Sequence, residues 1–190
     1  MTIISIVPPA AEPVSLADAK AFLRIDAPDE DALIADFIRA ARRVVEARTG
    51  RALITQTLRL KLDAFPDACE LSLRRSPVQS VISVTTFDQN GAAMVFDAAN
   101  YALDGDSHPA RILRKPAIPW PIPSAAGGGI VIDFIAGYGP SGSDVPEPLR
   151  QAIRILTAHF HEQREAVGEG GGAIPFRVEA LLAPFAEVRL

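Results

Sequence analysis

Between Val145 and Val167 the chain reads VPEPLRQAIRILTAHFHEQREAV, and its apolar positions Leu149, Ile153, Leu156 and Phe160 recur at spacings of four, three and four residues. That spacing predicts a helix with one apolar stripe. Pro146 suits a first helical turn, where a missing N–H costs nothing, and Glu147 adds negative charge at the positive helix end. Arg150, Arg154, Arg164 and Glu165 fall largely outside the stripe, and the glycines from Gly168 to Gly172 stop the helix. About twenty residues at ~1.5 Å each make a rod of about 30 Å, as long as a small domain is wide. Two helices are predicted earlier in the chain. Ser15 is a good N-cap with Asp18 three residues on; its helix carries Leu16, Ala19, Phe22 and Leu23 and ends before Pro28. Asp29-Glu30-Asp31 opens a longer helix whose stripe is Leu33, Ile34, Phe37, Ile38, Ala41, Val44 and Val45, with Gly50 where a C-terminal capping glycine belongs.

After Gly50 the period changes from 3.6 to 2. Leu58, Leu60 and Leu62 alternate with Thr57, Arg59, Lys61 and Asp63, the pattern of a half-buried strand over 55–63. Further strands are predicted over 69–73, 81–87, 94–96, 100–103, 110–113 and 130–136. Asn90-Gly91 is a two-residue hairpin signal, and Asp104-Gly105-Asp106 marks another turn. Residues 115–129, rich in proline around Trp120, read as loop, and 137–143 as a joint back to the long helix. Phe176 to Ala183 has room for one or two helical turns before Pro184. Ile3 to Pro13, apolar and proline-containing, reads as an arm lying on a neighbour or on its own core rather than as a helix.

Helices therefore stand at both ends with an all-β segment between them, and neither helical end buries its stripe alone. The expected fold is α+β: a small helical bundle formed by residues 1–53 and 140–190, carrying an inserted antiparallel β segment over 54–139. No internal repeat is seen.

Composition narrows the class. At 190 residues the chain can bury roughly 70% of its unfolded surface without staples. The single Cys69 cannot form an internal disulfide, as suits a fold made in a cytoplasm. MTIISIVPPAAEP has no basic region followed by a long apolar run, so no signal peptide is expected, and no apolar run approaches the ~18 residues of a membrane span. The net charge of −4, with both signs mixed along the chain, argues against a dedicated DNA grip, which would be strongly basic.

Candidate chemistry is sparse. His161-Glu162 resembles the start of a zinc-protease helix, but the position four residues after His161 is Glu165, not histidine. His159 lies about 200° around the helix from His161, so the two cannot easily share a metal. A His161–Glu165 surface pair is the expected arrangement. His108 belongs to a Ser-His-Pro turn. Cys69 alternates with Glu70 in a strand pattern and lacks a flanking base, so it reads as packing. Gly170-Gly171-Gly172 has no Lys-Ser/Thr after it and no strand before it, which makes it a linker rather than a phosphate loop. Arg39, Arg42 and Arg43 make a basic face with Asp36 and Glu46 in reach. Trp120, between prolines, is either a partner anchor or a plug of its own β segment. With Asp104 and Asp106 it supports a competing reading, a ligand- or carbohydrate-binding β module on a helical base. No catalytic set or metal cluster stands out, so neither an enzyme nor a cofactor is expected.

Four stretches together carry a family resemblance: Pro13 to Lys20 with Leu23-Arg24-Ile25-Asp26; Asp29 to Ile34; Thr49 to Thr57; and Val145-Pro146 with Leu149 to Ile153 and Ala158 to Glu165. Pro175-Phe176 with Glu179 to Pro184 also fits. As a set the chain resembles the tailed-phage head–tail connector (adaptor) family, also found in gene transfer agents. The resemblance implies structural work within a virion or virion-like particle: a homo-oligomeric, dodecameric ring under the capsid portal protein. That ring extends a channel through which double-stranded DNA passes without sequence-specific binding, and it docks the stopper or next connector protein. It also implies that Phe176, Leu181, Leu182, Phe185 and Leu190 anchor the C-terminal segment on the portal. Ring neighbours would meet near Arg39, Arg43, Arg150, Arg154 and Arg164. On this reading, deletion of residues 172–190 leaves the fold intact and abolishes docking.

Overall fold

A computed structural model describes residues 1–123, 127–163 and 174–186. The chain is α+β, with helices at both ends and a central β segment, and it divides into two compact units: Met1–Ala10 with Thr55–Gly137, and Ala11–Ile54 with Tyr138–Leu190.

The β unit contains two antiparallel sheets. One has five strands in the order β1 (Thr2–Val7), β2 (Gln56–Leu62), β8 (Ile130–Ala136), β4 (Val78–Phe87) and β5 (Ala93–Phe96). The other has three, β3 (Glu70–Leu73), β7 (Ala110–Arg114) and β6 (Tyr101–Asp104). The period-2 pattern becomes a buried face: Leu58 lies opposite Phe134 and Leu60 opposite Ile132, and all four are buried. Leu71, Leu73 and Ile112 bury the matching face of the smaller sheet. On the other face of β2 and β8, Arg59 and Asp133 form a bidentate pair with both N···O distances at 2.7 Å. No element missing from the sequence pattern is longer than β1. Its residues pair with β2 from Thr2↔Lys61 to Val7↔Thr57, so the first ten residues stand in the β unit and not, as expected, in the helical one. The N-terminal arm is thus a strand lying on its own chain. The β4–β5 connection also differs from a two-residue hairpin. It spans residues 88–92, and the Asp88 carboxylate accepts from the Asn90 and Ala92 amides, each at 2.8 Å. Gly91, at φ +80°, supplies the left-handed residue of that turn.

The helical unit comprises α1 (Leu16–Leu23), α2 (Asp31–Thr49), α3 (Glu147–Glu162) and α4 (Phe176–Leu182). Ser15 caps α1 by accepting from the Asp18 amide at 3.0 Å, and Gly50 ends α2 at φ 69°. Ile34, Ile38, Ala41 and Val45 of α2 pack in one cluster with Leu149, Ala152, Ile153 and Leu156 of α3, joined by Val14, Ala19, Leu53, Ile54 and Val145. Thr49 and Thr157 sit on these same buried faces, and each returns its hydroxyl to the carbonyl four residues earlier at 2.8 Å, so neither leaves an unpaired polar group. The predicted stretch beyond Gln163 on the long helix lies outside the described residues. Among the described residues no helix is long and apolar enough to cross a membrane.

Candidate docking surfaces

The C-terminal segment is divided between core and surface. α4 begins after Pro175 and continues into a 3-10 turn, Ala183–Phe185. Val178 and Leu182 project into the helical core, Leu182 with only 2% of its surface exposed. Leu181 and Phe185 are half-buried against the same cluster. Phe176, by contrast, is 86% exposed. Of the five expected anchors, Phe176 therefore presents a free side chain, Leu182 is occupied within its own chain, and Leu190 lies outside the described residues. The packing of Val178 and Leu182 bears on the expectation that deletion of residues 172–190 leaves the fold intact, because that deletion removes two buried side chains from the helical core.

Two arginines fasten this segment. Arg51 donates Nε to the Phe185 carbonyl at 3.0 Å and Nη1 to the Tyr138 hydroxyl at 2.9 Å, and its guanidinium lies 5.5 Å from the Phe185 ring centre. Burial raises the Tyr138 phenol above its ordinary pKa, against the opposing pull of Arg51. Arg48 pairs with Glu179 across a 3.3 Å exposed bridge. An open groove runs beside it, lined by Arg48, Phe176, Glu179, Ala180 and Ala183. A second apolar groove, between α2 and α3, is lined by Leu33, Phe37, Ala40, Phe160 and Gln163.

The expected basic face on α2 is narrower than the sequence suggested. Arg39 and Arg43 are exposed, and Arg39 is paired with Asp36. Arg42 is buried: its Nε meets Glu12 at 2.7 Å and its Nη1 meets Glu46 at 2.9 Å. Burial opposes its charge, but the Glu12 hydrogen bond and the Glu46 and Glu12 carboxylates outweigh that, and the guanidinium holds its proton more firmly than a free arginine. Glu46 also accepts from the Leu53 amide at 3.0 Å. Arg42 lies four residues after Ile38 and three before Val45, on the apolar stripe itself, and that spacing is the signal for its burial. On α3, Arg150 and Arg154 both reach Glu147, at 2.8 and 2.5 Å. The Arg154 hydrogen bond, aided by the charges of Arg154 and Arg150, holds the Glu147 carboxyl below its ordinary pKa. Arg150 Nε also donates to the Pro13 carbonyl at 3.3 Å. Arg164 lies outside the described residues.

Three further candidates, His161, Trp120 and Asp104, are engaged internally, whereas Cys69 is exposed. His161 Nε2 lies 2.9 Å from Glu30 Oε2 and edge-on to Phe37; Glu165, its expected partner, lies outside the described residues. Among the described residues no group of three metal-ligating side chains is present. Trp120 stacks on Phe65 at 4.6 Å between ring centres and an interplanar angle of 3°, leans on Phe96, and donates Nε1–H to the Ala68 carbonyl at 3.0 Å. These contacts pack the half-buried Trp120 within its own β unit. Asp104 accepts from Ser107 and from Arg111, the latter at 2.8 Å, and these bonds lower its pKa.

The sequence profile described as head completion protein matches residues 13–188. The chain belongs to the head completion protein family. No curated protein matches it significantly. Several solved structures do, across its whole length. A chain in the neck of an empty gene transfer agent (GTA) particle, computed with C6 symmetry, is 32% identical, with a TM-score of 0.86; the match covers 100% of this chain and 97% of that one. A chain in the virion of the native GTA particle matches with the same identity, coverage and score. In the neck of the native GTA particle, computed with C12 symmetry, the identity is 33% and the TM-score 0.82, at the same coverage. The family's matched residues take in α1, α2, α3 and α4 and leave out β1.

Proposed function

We propose that this head completion protein is a structural head–tail connector, a subunit of a ring in the neck of a gene-transfer-agent-like or phage-like particle. The observation that carries this reading is the full-length likeness to a neck chain 33% identical. The physical character of the chain agrees with it: charge is mixed, and the C-terminal segment carries a docked helix, α4, with the aromatic Phe176 fully presented. In this reading the ring lies beneath the portal, extends the DNA channel and receives the stopper or next connector. A weakly acidic wall suits a channel, because strong phosphate neutralisation would hold the DNA instead of letting it slide.

Phe176 is the foremost portal anchor, supported by its exposure beside the Arg48 groove. Leu181, Phe185 and Leu190 complete the apolar set, and Leu182 acts from within by seating α4. The exposed Arg39 and Arg43 are ring contacts in this reading. Arg150 and Arg154, both tied to Glu147, and Arg164 are ring contacts in this reading as well. The test is native mass spectrometry of the purified chain mixed with its cognate portal protein. A complex of one portal ring with a ring of this chain is expected, and Phe176→Ser should weaken it at least tenfold. Absence of any complex would contradict the reading.

A further inference from the structure

Among the described residues the five-stranded sheet ends in two edge strands with no further strand beside them, β1 on one side and β5 on the other. Soluble proteins usually guard such edges with charged side chains, proline or bulges, because an unpaired row of backbone N–H and C=O groups invites another chain. Neither strand here is guarded by charge: β1 reads TIISIV and β5 reads AMVF. β1 has one register shift near its end, between Ser5 and Val7. The exposed large apolar side chains of the β unit concentrate at these two edges. Ile4, Ile6 and Val7 stand on β1, and Met94 and Val95 on β5, with Ile82 on the adjoining β4; Val95 is 65% exposed. Apart from Met1, only Leu113 and Ile122 are exposed to this degree elsewhere among the described residues of the unit.

The register fixes how the two edges relate. Ile4 lies opposite Arg59, which lies opposite Asp133; Val95 lies opposite Thr85, which lies opposite Val131. Asp133 and Val131 are two residues apart on one strand, so Ile4 and Val95 share one face of the sheet. Four antiparallel steps separate β1 from β5, so the two strands run in the same direction. A cyclic ring needs a head-to-tail contact joining two different patches of one chain, whereas one patch meeting itself closes at two copies. Unlike patches on opposite sides of a single sheet meet the first requirement.

We propose that the β units of adjacent copies meet edge to edge, the β5 side of one copy (Ile82, Met94, Val95) lying against the β1 side of the next (Ile4, Ile6, Val7). The occupant is a second copy of this chain, as the C12 symmetry of the neck holding its 33%-identical relative favours; the contact rests on the ring reading given above. The test uses particles carrying the full chain with Cys69→Ser and the pair Ile4→Cys and Val95→Cys. Mild oxidation should give a covalent ladder of multiples of the chain on a denaturing gel, and neither single-cysteine variant should go beyond a monomer. Particles that contain the double variant but yield no ladder would overturn the edge contact, as would dimers from a single-cysteine variant. Absence of the wild-type chain from particles would overturn the ring reading and the contact together. As a second arm, Ile4→Asp and Val95→Lys should each cut incorporation at least tenfold, with the isolated chain melting as the wild type does because both positions are exposed. Combining them should restore incorporation; failure of that rescue overturns the contact.

Discussion

Arg51 and Phe185, far apart in sequence, hold the end of the helical unit together: the arginine donates Nε to the Phe185 carbonyl at 3.0 Å and lays its guanidinium over the ring. The same guanidinium meets Tyr138 at 2.9 Å, so one side chain ties the last described turn of the chain to the start of the return segment. Arg51→Ala should therefore loosen the C-terminal turn. The expected cost is about 1–3 kcal/mol for the charged hydrogen bonds, read as a lower melting temperature and faster proteolysis after residue 173. Arg51→Lys should recover only part of this, since a lysine lacks the fork that serves two acceptors at once.

The seating of α4 makes its apolar face part of the fold. Leu182→Ala should destabilise the chain by about 2–5 kcal/mol, as for other buried leucines. Removing residues 174–190 takes out both Val178 and Leu182 and should lower the melting temperature further. Phe176→Ser, at an exposed position, should leave the melt within about 0.5 kcal/mol of the wild type. Equal melts for the wild type and the truncated chain would show that the segment is only laid on the surface.

Arg42 is the buried charge on which Glu12 and Glu46 converge. Arg42→Ala removes the shared partner of two carboxylates, one of them only 13% exposed at the side chain. A loss of about 3–5 kcal/mol is expected, because breaking a buried pair strands a charge. Urea unfolding of the variant measures it.

Glu147 gives a pH signature. Its carboxyl titrates below the ordinary value of 4.5 in the folded chain, through Arg154 first and Arg150 beside it. A folded pKa below the unfolded one stabilises the fold above the unfolded value and loses that stabilisation as pH falls through the folded one. Glu147→Gln should therefore destabilise the chain at pH 7, and the gap from the wild type should close on acidification below 4.5. Melting curves of both proteins from pH 7 down to about pH 3 would show it. A gap that stays constant would mean the contribution is not electrostatic.

Much of this architecture can be read from the sequence where a long periodic pattern meets a cap. α2 begins at Asp31, the last residue of its acidic cluster, and is capped by Gly50, and β8 runs over the residues its alternation marks. What stays hidden has a physical reason. TIISIV is a short apolar run with no alternation, so nothing local distinguishes a strand from an arm; β2, over fifty residues away, decides it. Asn90-Gly91 is a strong turn signal, but the Asp88 carboxylate captures the amides and widens the loop. The surfaces are less legible than the fold. Leu182 and Phe176 look alike as apolar residues of one short helix, and only the packing of α4 separates a core residue from an exposed one. Trp120 and Asp104 have the composition of a ligand site, yet Phe65, Ala68 and Arg111, distant in sequence or across a turn, engage them.

The central claim, that the chain works as a ring held between head and tail, is tested most directly by cryo-electron microscopy of intact particles from cells that make it. Density for this chain repeated around the axis in the neck, adjoining the portal, is the expected result. Particles whose neck is complete without it would contradict the claim.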